Sequence, residues 1–482
     1  MRTESVAALR SFLALPCRGV ALILLLLQIG AAPAPQPHPD LTFHAAPKPL
    51  PPGAVTSDWP HFLGPTFDYH SPETKLLERF DEKGPPLVWE VKKGTGYAAP
   101  VVVGDRLVLF HRVSDEERVD CLHPETGQRY WSFAYATAYQ DRYGWSDGPR
   151  ASPTIAGGAV FTFGAEGKLH CLDLATGAVR WKRDVLEDYK LTPNFFGVGS
   201  TPLVEGDKLI VNVGAKGACV VAFDVADGKE LWRAGDAWGP SYASPVPATV
   251  HGKRRVFVFA GGESAPPSGG LLCIDPANGK VDFTFPWRAR RRESVNATSP
   301  LVLDGKRVFI SEAYGSGGAM LDLLPDGSFK QAWTNESFGT HFMTAVRKDD
   351  HLYGVDGHGP ADAFLVCVEA ATGKEVWRTQ PEWVQTVDGK TGPRKLKLGT
   401  YRAWLMPVDG RHLMFGEYGH LLWADLSPAG FKEISRAQLF LAGESWTPPV
   451  LSRGLLYVCQ NTPTSDAAAT PPRLLCYDLR KP

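Results

Sequence analysis

The chain has 482 residues and almost no net charge: 51 Lys and Arg stand against 52 Asp and Glu, −1 at pH 7. Such a balance sets up no global field toward nucleic acid or an anionic membrane. None of its eight cysteines forms a Cys-x-x-Cys pair, so neither a zinc site nor a haem attachment site is supported. There is no Gly-rich phosphate loop opening a helix, no Gly-x-Ser-x-Gly and no His-Glu-x-x-His. The common signatures of nucleotide handling, serine hydrolysis and zinc proteolysis are therefore missing. Histidines such as His111, His170, His358 and His420 are scattered without metal spacing. His358, in Asp356-Gly-His-Gly-Pro360, reads as a turn rather than a ligand. The apolar run from Val20 to Ile29 is too short to span a membrane.

That run has a different meaning. Arg2, Arg10 and Arg18 flank it, and Gly30-Ala-Ala-Pro-Ala34 follows, which is the order of a secretory signal peptide. Residues 1–31 are read as that signal. Losing three Arg and one Glu moves the net charge from −1 to −3. The chain is expected to be exported, to the periplasm or beyond, with no transmembrane span once mature. An uncleaved N-terminal anchor is the alternative. Prolines at 33, 35, 37, 39, 47, 49, 51 and 52 make residues 32–57 an extended linker, followed by an entry segment at 58–87.

What fills the rest is a repeat. Cys171-Leu-Asp-Leu-Ala-Thr-Gly177 with Trp181 reads as strand, tight turn, strand. The register returns at Cys121 with Gly127 and Trp131, at Ala222 with Gly228 and Trp232, at Cys273 with Gly279 and Phe283, and at Cys367 with Gly373 and Trp377. Degenerate copies are Met320-Leu-Asp322 with Trp333, and Trp423-Ala-Asp425 with Gly430 and Ile434. The last is Cys476-Tyr-Asp478, where the chain stops. A period near fifty residues means a repeat architecture. A small residue and a proline open each period, as in Ala99-Pro100, Ser152-Pro153, Thr201-Pro202, Ser244-Pro245, Ser299-Pro300 and Thr447-Pro448, and proline suits the first residue of a strand. Each period is thus four antiparallel strands, A to D.

Eight such units suggest an eight-bladed β-propeller over residues 88–480. The eighth lacks strand D, and Leu87-Val-Trp89-Glu-Val91 can supply it and close the ring, removing a sheet edge. Trp89, Trp131, Trp181, Trp232, Phe283, Trp333 and Trp377 would then wedge between blades, each burying roughly 200 Å², about 5 kcal/mol gross. Five cysteines take the first motif position on different blades, too far apart to bridge. With Cys219 and Cys459 they are expected to be buried free thiols.

The pattern A-x-D-x-x-T-G-x-x-x-W resembles the tryptophan-docking motif of the PQQ-binding-like (quinoprotein alcohol dehydrogenase-like) β-propellers. The stretch Asp58-Trp-Pro-His-Phe-Leu-Gly-Pro65 resembles the entry segment of secreted bacterial repeat proteins of that family. The resemblance covers about residues 58–480. It implies one of two functions. One is a non-catalytic binding or scaffold platform in the cell envelope, similar in fold to the propeller of the outer-membrane protein assembly machinery. The other is a quinoprotein dehydrogenase of alcohols or sugars using PQQ and Ca²⁺. The family hallmark of the cofactor site, a disulfide between adjacent cysteines, has no counterpart here, which favours the platform with no cofactor and no metal.

Function is expected where the connections are long and irregular, on the face carrying the D–A connections and B–C loops. Residues just before strand A should ring the channel mouth: Tyr97, Arg150, Tyr242, Asn296, His341, Arg402 and Trp446. Such a mouth suits a protein partner or a small anionic or planar ligand. The arginine run 288–292 reads as a solvated turn, and the longest connection carries Trp383, Lys390, Arg394, Tyr401, Arg402 and Trp404. No catalytic residue is assigned, and a monomer is expected.

Overall fold

The computed structural model describes residues 34–236, 238–292, 294–389 and 391–482. The signal-peptide reading of 1–31, Cys17 and Lys390 lie outside the described residues. The architecture is an all-β, eight-bladed propeller of four-stranded antiparallel blades. Among the described residues the one α-helix is a single turn, Val185–Asp188. No described helix is long and apolar enough to cross a membrane.

Blade 2 shows the unit: A is Thr154–Ala156, B Ala159–Phe163, C Lys168–Asp173 and D Val179–Asp184. Blade 8 takes Val450–Ser452, Leu455–Gln460 and Arg473–Asp478 from one end of the chain and Leu87–Lys92 from the other. Trp89 lies opposite Cys476, so the ring closes as the missing strand D requires. Blade 8 also carries a fifth strand, Leu41–Phe43, paired outside Leu87–Lys92. The stretch read as a linker is therefore partly laid on the fold. Its prolines cluster on either side of 41–43 and leave those N–H groups free to pair.

In every blade the register of C against D shifts at a bulge beside the first motif position. A bulge increases local twist and fixes which D residue lies opposite. Cys171 faces Trp181, and Ala222 faces Trp232. In blade 7 the residue opposite Trp423 is Ser435, not Ile434 as the sequence suggested, because the bulge falls between Trp423 and Ala424.

The core is a series of seams between blades. Phe161 and Cys171 of blade 2 cluster with Leu209, Val221 and Phe223 of blade 3. Ile210 and Ala222 of blade 3 cluster with Val256, Leu272 and Ile274 of blade 4. All seven described cysteines are buried and free.

Two rings of hydrogen bonds tie the seams. In the outer one, Trp89, Trp131, Trp181, Trp232, Trp333 and Trp377 donate Nε1–H to the carbonyls of Pro124, Leu174, Val225, Pro276, Ala370 and Ser427 on the next blade, at 2.8–3.1 Å. Each acceptor sits three residues before a turn glycine. A Cβ on Gly177 would fall 2.6 Å from the Trp131 ring, and one on Gly228 2.7 Å from the Trp181 ring, both at positive φ. Glycine is thus demanded twice, by space and by backbone. Phe283 has no N–H to donate and packs on Phe329 instead, 4.6 Å between centroids. In the inner ring, the N–H groups of Ala99, Ser152, Thr201 and Ser244 donate to the hydroxyls of Ser152, Thr201, Ser244 and Ser299, at 2.9–3.1 Å. That is why a small hydroxylated residue precedes the strand-A proline.

The entry segment fills the axial channel. Trp59 exchanges two backbone bonds of 2.8 Å with Val102 of blade 1, and Ile155 N of blade 2 donates to Pro60 O at 2.9 Å. Ser71 N donates to Pro407 O of blade 7, and Tyr69 OH to Pro449 O beside blade 8. Strand A is the inner edge of each blade, so the plug satisfies groups that an open channel would leave to water.

Two expectations follow. Trp181→Phe keeps the stack on Gly228 but loses one hydrogen bond, and should lower stability by about 1 kcal/mol. Gly228→Ala forces a Cβ into the ring at positive φ and should cost about 2 kcal/mol or more; urea midpoints compare the pair. A chain starting at Lys92 should melt far below one starting at Ala34, or aggregate, and equal melting would refute ring closure.

Candidate ligand cup on the D–A face

At the end of the axis that the plug leaves open lies a cavity of about 320 Å³. Its wall comes from all eight blades: Tyr97, Arg150, Gly199, Tyr242, Ala297, His341 with Phe342, Arg402 and Trp446, in blade order. Most lie three residues before the strand-A proline or its equivalent. Phe62 of the plug lines both this cavity and a smaller hollow against blades 2 to 4, so it forms the floor. The cavity is a blind cup.

Six of the seven residues expected at the mouth line it, and Asn296 does not. In blade 5 the position three before Pro300 is Ala297. Asn296 is one step off, fully buried, and donates Nδ2–H to Ala260 O at 2.8 Å and Trp287 O at 3.2 Å. Blade 3 contributes only Gly199, where a Cβ would lie 2.4 Å from the Tyr242 ring; a bare backbone there admits the tyrosine. His358, read as a turn residue, also lines the cup, with Nδ1 2.8 Å from Asp362 Oδ2. Trp145, Phe196, Tyr314 and Trp404 complete the aromatic lining.

Both guanidinium groups are already engaged. Arg150 Nη2 donates to the buried Asp141 carboxylate at 2.7 Å, and the group lies over Tyr97 and Phe196 at 5.5 and 5.4 Å. Arg402 forms a two-pronged pair with buried Glu417, which also accepts Trp446 Nε1–H at 3.0 Å. The Arg402 guanidinium sits 4.7 Å from the Trp446 ring centre. Tyr97 OH donates to Glu444, whose carboxyl is pushed up chiefly by burial. His341 is held at about 3 by burial and by nearby Arg402, so it is neutral. Its Nδ1 is buried with no partner among the described residues. The wall is electrically balanced and rigid. It can stack on a flat or apolar group and offer few unpaired polar atoms.

The partners Asp141, Glu417 and Glu444 carry no motif or spacing in the sequence. The available signal was indirect: a mouth arginine held off from water needs a carboxylate. No group of three or more His, Cys, Asp or Glu among the described residues could hold a metal ion.

Behind the blade 5 wall, Arg288 is not solvated as its run suggested. It donates to the carbonyls of Gly261, Gly262 and Ser294, while Arg290, Arg291 and Arg292 are exposed. Ala289 N donates to Glu312 Oε2 at 2.5 Å, and Glu312 Oε1 has no partner among the described residues. Burial pushes the Glu312 carboxyl up to about 7, against the pull of Arg288. Its ordinary value is 4.5, so its contribution to stability is complete below that pH and is lost as pH rises through 7. Between about pH 5 and pH 8 the wild type should lose on the order of 2 kcal/mol relative to Glu312→Gln. Parallel pH profiles of the two urea midpoints would refute this.

Known proteins place the fold. No curated protein matches the sequence. Among solved structures, a europium-containing methanol dehydrogenase aligns at TM-score 0.61 and 14% identity, over 88% of this chain and 98% of its own. The quinohemoprotein alcohol dehydrogenase from Comamonas testosteroni aligns at 0.60 and 14%, over 88% and 81%. BamB from Moraxella catarrhalis aligns at 0.53 and 17%, over 82% and 100%. At these identities the likeness concerns the fold. The sequence profile described as "Outer membrane protein assembly factor BamB" matches residues 115–379, more than half of the chain, and the protein therefore belongs to that family of PQQ-like β-propellers.

Proposed function

We propose that the protein is an exported, non-catalytic binding platform of the cell envelope whose working surface is the D–A face, with the cup at its centre. The observation that carries this reading is the cup itself. Eight blades converge on one aromatic-walled cavity, and the plug closes its far end. Because Arg150 and Arg402 are matched by Asp141 and Glu417, the cup favours a planar, weakly charged group over a strong anion. That group is a small ligand or an aromatic side chain presented by a protein partner. Family membership is in keeping with an envelope protein.

The second reading, a dehydrogenase using PQQ and Ca²⁺, draws on the two dehydrogenase neighbours. The residues of the cup do not fit that group. PQQ is a flat polycarboxylate and needs unpaired cations, and its Ca²⁺ needs a cluster of oxygen donors. The guanidiniums here are paired, and Glu417 and Asp141 are spent on them. No two cysteines are adjacent in the sequence.

Two measurements test the proposal. The neutral probe N-phenyl-1-naphthylamine should bind saturably and quench tryptophan emission, and Ala297→Trp, which fills the cup from blade 5, should abolish that binding without lowering stability. PQQ with Ca²⁺ should leave the melting curve unchanged, although a ligand at 100 times its Kd adds about 2.7 kcal/mol. Stabilisation by PQQ with turnover of an alcohol would overturn the platform in favour of the enzyme. Export is checked separately: the mature N-terminus should lie near Ala32, and an intact Met1 on envelope-associated protein would mean an anchor.

A further inference from the structure

The connection between blades 6 and 7 is not a loop but a hairpin, Glu382–Gly389 paired with Gly392–Gly399. It belongs to no blade. Its two edges are unlike each other. Gly392–Gly399 carries Arg394, Lys395 and Lys397, all exposed, and Pro393. Lysine, arginine and proline are how natural sheets block an edge against further pairing. The opposite edge carries Val384 and Thr386, residues that favour strands. Val384 is 68% exposed, the most exposed large hydrophobic among the described residues.

That second edge is open. Asp388 O points away from the hairpin and accepts Ala467 N–H at 3.0 Å. Residues two and four positions back, Thr386 and Val384, face the same way. Among the described residues their outward N–H and C=O groups have no partner. The edge borders a groove of about 880 Å³ whose other bank is the end of blade 7 strand D, Gly430–Gln438, continuing to Leu441. The hairpin is fixed to that bank. Trp383 lies under Arg436 at 4.0 Å and edge-on to His420, and Gln385 bonds Gln438. Four carboxylates line the groove, those of Glu82, Asp388, Glu433 and Asp466, against one guanidinium, Arg436, which is paired with Glu433.

We propose that this groove binds an extended, basic segment of a partner polypeptide, which adds as a third strand on the open edge of the hairpin. Main-chain bonds to Val384 and Thr386 provide the pairing. Val384, on the face of the hairpin turned away from blade 7, takes the apolar side chains of one face of the added strand. The carboxylates take lysines or arginines of the other. The site is separate from the cup, so it stands or falls independently of ligand binding there.

The test uses the full chain and a labelled eight-residue peptide of alternating Lys and Val, followed by fluorescence anisotropy. Saturable binding is expected, weakening with salt. An isosteric peptide with Glu for Lys should not bind. Val384→Pro deletes one outward N–H at a strand edge where proline is tolerated, and should weaken binding about tenfold while leaving the melting temperature and the cup probe's affinity unchanged. Glu82→Lys with Asp388→Lys should weaken it at low salt. Amide exchange at Thr386 should slow when the peptide is added. No binding at millimolar peptide, equal binding of the Glu peptide, or full binding by Val384→Pro would overturn the proposal. So would a dimer in sedimentation that Val384→Pro dissociates, which would make the occupant a second copy.

Discussion

A four-stranded twisted sheet has two apolar faces and cannot bury either by itself, so this fold exists only through the contact between one blade and the next. The contact has two fixed points. Near the rim, an indole stacks on the next blade's turn glycine and donates to a carbonyl three residues earlier. Near the axis, a backbone N–H donates to the hydroxyl before the next strand-A proline. A blade held at two radii resists pivoting against its neighbour. Where the rim point degenerates, as at Phe283 beside blade 5, aromatic packing takes its place.

Fixing the blades in this way decides where variation is tolerated. The C–D turns are bound by the indoles and stay short. The D–A connections lie outside both rings and are free to lengthen. The position three before the strand-A proline follows directly from the inner ring, whose hydroxyl anchors the proline's neighbour. Side chains at that position are therefore delivered to the axis whatever their chemistry, from glycine at 199 to tryptophan at 446.

Most of the fold was legible because its determinants are periodic. Asp, Gly and Trp recur at fixed spacing, and Trp89 supplies the strand that the C-terminus lacks. The cup was legible in outline for the same reason. In blade 5 the period points to Ala297, and Asn296 lies one residue off it. His358 lies in the tight turn that its neighbours suggest, but only the closing of the ring brings that turn to the axis. The carboxylates of Asp141 and Glu444 come from D–A connections and that of Glu417 from the B–C turn of blade 7, none of them at a position the repeat motif marks, so no spacing predicts them. The hairpin at 382–399 was hidden because its second strand is charged and contains Pro393, both of which argue against a strand unless that strand is an edge.

The plug gives the two sites a common direction. Because residues 59–71 occupy the channel, the cup opens only toward the D–A face. The hairpin rises from that same face, between blades 6 and 7, beside Arg402 and Trp404 at the cup wall. The groove beside the hairpin runs along strand D, the outer strand of blade 7, and shares no lining residue with the cup. The two therefore suit different groups: the balanced charge of the cup favours a flat apolar one, and the acidic groove a basic strand.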